Sequence, residues 1–242
     1  DILQLKSAIK RTQTGTGTAV HVFGKRKTTG EVKTATDAAI QGNIVPALRE
    51  MLDEKDLNFD IQSAAALALA KIGDTSIVPT LMKMAKNDKK EGADYHNVVQ
   101  ESAALAFGLL QDDSDENREF LIRIVTDPKG EYNSSYVRPF SAISLGLLGG
   151  ENEKYNQTYE ALKSVLAAKE SKKDVKPACL VAIGLLENDA AVPDLLYMLE
   201  NKKAQKDAKD DLSDVELAFV VQALGRIGVP GTAEEPTKVI DT

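Results

Sequence analysis

The chain has 242 residues, of which 43% are hydrophobic, and this proportion supplies a continuous core and excludes wholesale disorder. Aromatic residues make up only 5% and tryptophan is absent, which favours close helix-on-helix packing. The formal net charge of −7 disfavours binding to nucleic acid, because phosphate contacts need clustered lysine and arginine. The one cysteine, Cys179, excludes an internal disulfide, and its apolar neighbours predict a buried structural thiol.

The first 30 residues differ from the rest of the chain. Residues 1–11 are predicted to form a helix, and residues 12–30 a Thr- and Gly-rich insertion that forms a flexible loop or a short hairpin. The insertion does not fit a phosphate-binding loop, because Gly17 and Gly24 are too far apart and Arg26 follows the lysine where Ser or Thr is required. Its basic cluster is a candidate contact for an acidic partner. The cluster consists of Lys25, Arg26 and Lys27.

A phrase with a small residue near its centre recurs along the chain. Its copies are LALAKIGD (67–74), LAFGLLQD (105–112), ISLGLLGG (143–150), VAIGLLEN (181–188) and QALGRIGV (222–229). The small residues are Ala70, Gly108, Gly146, Gly184 and Gly225, at spacings of 38, 38, 38 and 41. A near-constant period in this range is typical of a helical solenoid.

Most copies are followed by a polar turn and a second segment with apolar residues at i, i+3, i+4 and i+7. These segments are 77–87, 117–127, 158–169 and 191–201, with an earlier copy at 39–52. Each unit is therefore predicted to contain helix A, a turn and helix B. Proline falls in the first turn of three B helices, where its missing N–H costs nothing. The turn before 158–169 is expected to be long, because its residues are mostly polar.

The glycines of the phrase are predicted to be structural. A small residue at a fixed place in helix A lets the backbone of a neighbouring helix approach closely, and Ala70 fills the same position without the glycine penalty of about 1 kcal/mol. We therefore expect Gly146 and Gly184 to be buried at helix–helix contacts.

The phrase and the helix B segment that follows it together resemble HEAT repeats of the kind found in bacterial phycobilisome lyase proteins, in which ALG.LGD..AVP.LL..L recurs. The resemblance covers about residues 31–229 and is strongest at 64–87 and 178–201. It implies an all-α, right-handed α-solenoid of about five to six stacked two-helix repeats. The solenoid is assigned to residues 31–242, with its last unit incomplete.

The sequence predicts no metal site, no cofactor and no catalytic residue. Asp113, Asp115 and Asn117 alternate as in a calcium loop, but Arg118 stands at the glycine position and Ile124 at the position of the bidentate glutamate. Deoxyhypusine hydroxylase is an iron enzyme with similar repeats, and it uses paired His-Glu motifs. Neither histidine of this chain is followed by glutamate.

The leading hypothesis is a non-catalytic scaffold that binds a protein partner on the concave face formed by the B helices, or on the edges of the array. The candidate contact residues on helix B are Lys83, Arg123, Lys163 and Tyr197. The alternatives are a subunit of a bilin-lyase-type enzyme and a structural segment of a larger assembly that self-associates end to end. Neither nucleic-acid binding nor membrane insertion is expected, since the longest apolar run, 178–186, is too short to cross a bilayer.

The turns between helix A and helix B carry many carboxylates, among them Asp74, Asp113 and Glu187. The loops from helix B to the next helix A are rich in lysine. Anions suit the start of helix B and cations suit its end. This charge pattern predicts an acidic edge opposite a lysine-bearing one.

Overall fold

The computed structural model describes residues 36–54, 57–127, 136–168, 174–204 and 212–228. Every regular element in these ranges is helical. The ten longer helices are α1 (Val45–Asp53), α2 (Phe59–Ile72), α3 (Val78–Lys86), α4 (Asn97–Leu110), α5 (Asp115–Thr126), α6 (Val137–Leu148), α7 (Asn152–Ala167), α8 (Val175–Leu186), α9 (Val192–Ala204) and α10 (Asp214–Ile227). The predicted helix 1–11 and insertion 12–30 lie outside the described residues.

The chain divides into two compact units, Asp1–Asp112 and Asp113–Thr242. In the first unit, the A helices α2 and α4 pack against each other, while the B helices α1 and α3 each pack against the A helix that follows. In the second unit, the A helices α6, α8 and α10 pack in succession, and the B helices α5 and α7 contact each other. Each B helix again packs against the following A helix. This consecutive packing of paired helices is that of an α-solenoid, so the predicted fold is confirmed.

The A helices dock through the predicted glycines. A Cβ placed on Gly146 would lie 2.7 Å from the Ala182 Cα, and one placed on Gly184 would lie 3.0 Å from the Ala223 Cα. Both glycines are buried, so the packing prediction is confirmed. In each case the small residue of one helix faces the residue two positions before the small residue of the next. The docking register is therefore the same at both interfaces.

Four A helices end with a positive φ angle, three residues after the small residue of the phrase. Three of these end residues are in the left-handed helical region, whereas Gly149 has a ψ of −139° and is not. The residues there have positive φ angles, namely 87° at Gly73, 57° at Gln111, 69° at Gly149 and 53° at Glu187. In α2 the consequence is visible in the hydrogen bonds, because the N–H groups of Gly73 and Asp74 both donate to the Leu69 carbonyl at 3.1 Å. A left-handed residue reverses the chain at the end of a helix, and glycine adopts it most readily.

Helix α7 begins earlier than predicted. The expected long turn is short, because Gly149 and Gly150 both have positive φ and the helix starts at Asn152. The buried residues of α7 keep one helical period along its whole length. They are Tyr155, Thr158, Tyr159, Leu162, Val165 and Leu166. The expectation of a long turn was wrong because tyrosine and threonine continue the buried face in a segment that is otherwise polar.

Candidate partner-binding surface

The B helices α3, α5, α7 and α9 can be compared position by position, because each has an almost completely buried leucine at a corresponding place. These leucines are Leu81, Leu121, Leu162 and Leu195. Two residues after the leucine come Lys83, Arg123 and Tyr197, and all three are exposed. Lys163 follows its leucine directly, so it corresponds in position to Leu196 rather than to Tyr197. The four predicted residues therefore occupy two neighbouring helical positions.

Lys163 takes part in a polar cluster between α7 and α9. Its Nζ donates to Asp194 Oδ2 at 2.6 Å, and the Tyr159 hydroxyl donates to the same oxygen at 2.6 Å. The Lys163 ammonium also lies 5.7 Å from the centre of the Tyr159 ring, within the range of a cation–π contact. These contacts join two successive B helices and hold Lys163 half-buried.

The cluster shifts the protonation of its members. The Lys163 ammonium, followed by the Tyr159 hydroxyl, lowers the pKa of the Asp194 carboxyl, since both hydrogen bonds favour the charged form. The hydrogen bond to Asp194 raises the pKa of Lys163. Burial, followed by the bond to Asp194, raises the pKa of Tyr159. The pair is thus a carboxylate and an ammonium at neutral pH.

Tyr155 stacks on Tyr159 at a centroid distance of 5.5 Å. Burial raises the pKa of Tyr155 to about 12. Its hydroxyl oxygen is buried and has no hydrogen-bond partner among the described residues. The two tyrosines therefore share a ring environment but differ in what their hydroxyl groups contact.

Two large side chains beside this cluster on α9 are exposed. Tyr197 is 67% exposed and Leu196 is 45% exposed. Tyr197 is three residues after Asp194, so the two side chains are neighbours on the helix surface. Arg123 is exposed on α5, which packs against α7. We call Arg123, Lys163, Leu196 and Tyr197 the B-helix row of the second unit.

A buried arginine, which the sequence interpretation missed, supports this row. Arg118 is 0% exposed, and its Nη2 donates to the Gly149 carbonyl at 3.1 Å. Its Nε donates to Asp113 Oδ1 at 3.0 Å, and its Nη1 donates to the Thr158 hydroxyl. It therefore holds α5 to the start of α7. The available signal was its place three residues before Leu121, on the apolar face of α5.

Carboxylates of the turns pair with arginine side chains within each unit. In the first unit, Arg49 Nη2 lies 2.7 Å from Asp74 Oδ1, and this contact lowers the pKa of Asp74. In the second unit, Arg226 Nη2 lies 2.8 Å from Glu187 Oε1, and Asp113 accepts from Arg118. These acidic turns stabilise contacts between helices, so their charge is partly neutralised. The B-helix row is a better candidate for contact with a partner.

The remaining predicted contact residues are not part of this row. Lys83 is exposed on α3 of the first unit. The basic cluster of Lys25, Arg26 and Lys27 lies outside the described residues. No group of three His, Cys, Asp or Glu side chains in the described ranges is arranged to hold a metal ion. In those same ranges, no helix has the length and apolar character needed to cross a membrane.

One segment of the chain is similar to a known repeat family. The family model described as PBS lyase HEAT-like repeat matches residues 61–87. This stretch holds most of α2 and all of α3, and it nearly coincides with one of the two segments where the resemblance is strongest. No curated protein matches the chain.

Proposed function

We propose that this HEAT-like repeat protein is a non-catalytic scaffold that binds a protein partner through the B-helix row of its second unit. The observation that carries the proposal is the exposure of Tyr197, a large aromatic side chain on a B helix, at 67%. Tyrosine and arginine are enriched among the residues that dominate binding at protein interfaces. The row contains both, at Tyr197 and Arg123.

The composition of the row defines the partner that would fit it. Tyr197 and Leu196 offer adjacent apolar area that an apolar pocket or side chain would cover. Arg123 offers a guanidinium that suits a carboxylate. The Lys163 Nζ already lies 2.6 Å from Asp194 Oδ2. Its charge is therefore paired, and its side chain is held in place. The expected partner therefore presents an apolar group flanked by acidic side chains.

The surrounding contacts keep the row rigid, which favours binding because less side-chain and backbone freedom is lost. Arg118 ties α5 to α7, and the bonds from Tyr159 and Lys163 to Asp194 tie α7 to α9. Lys83 on α3 and the cluster of Lys25, Arg26 and Lys27 stay candidates for additional contacts.

The test has two steps. Affinity capture with the full chain, followed by mass spectrometry, identifies the partner. Calorimetry then compares its affinity for the wild-type chain and for an Arg123→Ala/Tyr197→Ala variant. We expect the double substitution to weaken binding by tenfold or more, since removing an anchor costs about 1–2 kcal/mol or more. The melting temperature should stay the same, because both side chains are exposed.

A Gln157→Ala/Val215→Ala variant is the matched control, because it removes exposed side chains of the same unit outside the row. It should bind like the wild type. Equal loss of affinity in both variants, or no loss in either, would count against the row. A bilin chromophore in the purified protein, seen by its visible absorbance, would instead favour a lyase-type subunit.

A further inference from the structure

The last A helix of the described chain has an exposed face that its predecessors bury. On α10 the residues Ala218, Val221, Gln222 and Gly225 are all exposed and recur at i, i+3, i+4 and i+7. Val221 is 56% exposed, whereas its counterparts Ala142 on α6 and Leu180 on α8 are completely buried. We call these four residues the rear face of α10. The corresponding rear faces of α6 and α8 receive the next A helix.

Gly225 shows the same contrast most directly. At its counterpart Gly146, an added Cβ would lie 2.7 Å from the Ala182 Cα. At its counterpart Gly184, an added Cβ would lie 3.0 Å from the Ala223 Cα. A Cβ on Gly225 would meet no described atom within 4 Å. The rear face of α10 thus has the small residue, the apolar neighbour and the open space that a docking A helix needs.

The first long A helix, α2, has the complementary exposed face. On α8 the residue that meets Gly146 is Ala182, and its neighbours on the same helix face are Val175 and Leu185, all buried. The counterparts on α2 are Ala68, Ile61 and Lys71. Ile61 is 45% exposed, Lys71 is exposed and Ala68 is half-buried. We call Ile61, Ala64, Ala68 and Lys71 the front face of α2.

We propose that the rear face of α10 docks the front face of α2 from a second copy of this chain, so that copies associate head to tail. The occupant follows from the register, since a docking helix needs a small residue two positions before its own phrase residue, and α2 has Ala68 there. The sequence of residues 229–242 contains no copy of the phrase, and its Pro230 and Pro236 disfavour a helix of this length.

The charges at this contact are compatible with the proposal. Lys71 corresponds to Arg226, which pairs with Glu187 just after the C-terminal end of α8. In the docked arrangement Lys71 would lie near the C-terminal end of α10, where a cation is favourable. The surface is distinct from the B-helix row, so the two proposals can fail independently.

Sedimentation velocity of the full chain across a wide range of concentrations tests the contact. The wild-type chain should show a mass that rises with concentration. Gly225→Leu should stay monomeric, because the new side chain would meet the backbone of the incoming helix. It should also fold normally, since no described atom lies within 4 Å of an added Cβ at Gly225. Ile61→Glu should stay monomeric because it places a carboxylate in an apolar contact.

The control is Gly42→Leu, at another glycine where an added Cβ has no described atom within 4 Å. It should associate like the wild type, and circular dichroism should show equal helicity in all variants. A mixture of Gly225→Leu and Ile61→Glu should recover dimers, because one chain keeps an intact front face and the other an intact rear face. A monomeric wild type, association that either variant leaves unchanged, or a mixture that stays monomeric would overturn the proposal.

Discussion

Tyr155 and Tyr159 of α7 are both buried and stacked on each other, yet their hydroxyl groups have opposite environments. The Tyr159 hydroxyl donates to Asp194 at 2.6 Å. The Tyr155 hydroxyl has no hydrogen-bond partner among the described residues. A buried polar group without a partner carries a desolvation cost of about 1–3 kcal/mol, whereas a satisfied bond contributes about 0.5–1.5 kcal/mol. Removing each hydroxyl should therefore have opposite effects.

We predict that Tyr159→Phe lowers the free energy of unfolding by about 0.5–1.5 kcal/mol, because the bond to Asp194 is lost. Tyr155→Phe should leave that free energy unchanged or raise it, because it removes an unsatisfied group. Urea denaturation of both variants measures the difference. Each is the other's control, since both keep the aromatic rings in place. A greater loss for Tyr155→Phe would show that its hydroxyl is satisfied in solution.

The Asp194 carboxyl predicts a pH dependence. Its pKa in the folded chain is held below the ordinary value of 3.8, mainly by Lys163 and then by Tyr159. A lowered pKa contributes stability that is present above the unfolded value and lost as the pH falls through the folded value. The stability advantage of the wild type over Asp194→Asn should thus be complete at neutral pH and shrink below pH 3.8.

Denaturation curves at a series of pH values measure this advantage. Glu200→Gln, at an exposed carboxylate of the same helix, controls for the change in net charge. An advantage over Asp194→Asn that stays constant or grows on acidification would contradict the assignment of the ion pair.

At the scale of single helices, the docking register gives the same substitution two different outcomes. Gly146 and Gly225 occupy corresponding positions on α6 and α10. An added Cβ at Gly146 would lie 2.7 Å from the Ala182 Cα, and backbone atoms cannot move aside cheaply. The same atom at Gly225 has open space among the described residues. Packing therefore outweighs helix propensity at one site and is irrelevant at the other.

We predict that Gly146→Ala costs about 1–3 kcal/mol of unfolding free energy through overpacking. Gly225→Ala should instead stabilise the monomer by up to about 1 kcal/mol, because alanine favours the helix more than glycine does. Thermal denaturation at low protein concentration distinguishes the two. Similar behaviour of both variants would contradict the shared docking register.

For the whole molecule, the repeat architecture predicts that a perturbation stays local. The stability of a repeat array is close to a sum of single-repeat terms and contacts between neighbours. Arg118 holds α5 to the start of α7. Replacing it by methionine keeps much of its volume but removes its hydrogen bonds to Thr158 and Gly149.

We predict that Arg118→Met costs about 2–4 kcal/mol, because buried polar groups lose their partner. Hydrogen exchange should show faster exchange of backbone amides in α5 and α7 than in the wild type, with a smaller change in α10 of the same unit. An equal change over the whole second unit would show that the unit unfolds cooperatively rather than repeat by repeat.

The sequence by itself determined most of the helices and the small residues through which the A helices dock. The phrase around Gly146 and Gly184 repeats at a constant spacing. Each helix–helix contact needs a small residue at the same place, so the repeat period in the sequence also predicts where the A helices contact each other. Most apolar segments of helix B were also visible, because their period is local. The B-helix contact residues could be named, but their binding role is still a prediction.

Only the tertiary structure decided the features that depend on partners distant in the sequence. The burial of Arg118 requires Thr158, 40 residues away, and the position of Lys163 requires Asp194, 31 residues away. The left-handed turns at Gln111 and Glu187 were also not predicted, because neither position is a glycine. For Arg118 and Lys163, no local pattern specifies the burial or the ion pair, because the stabilising contacts come from the next repeat.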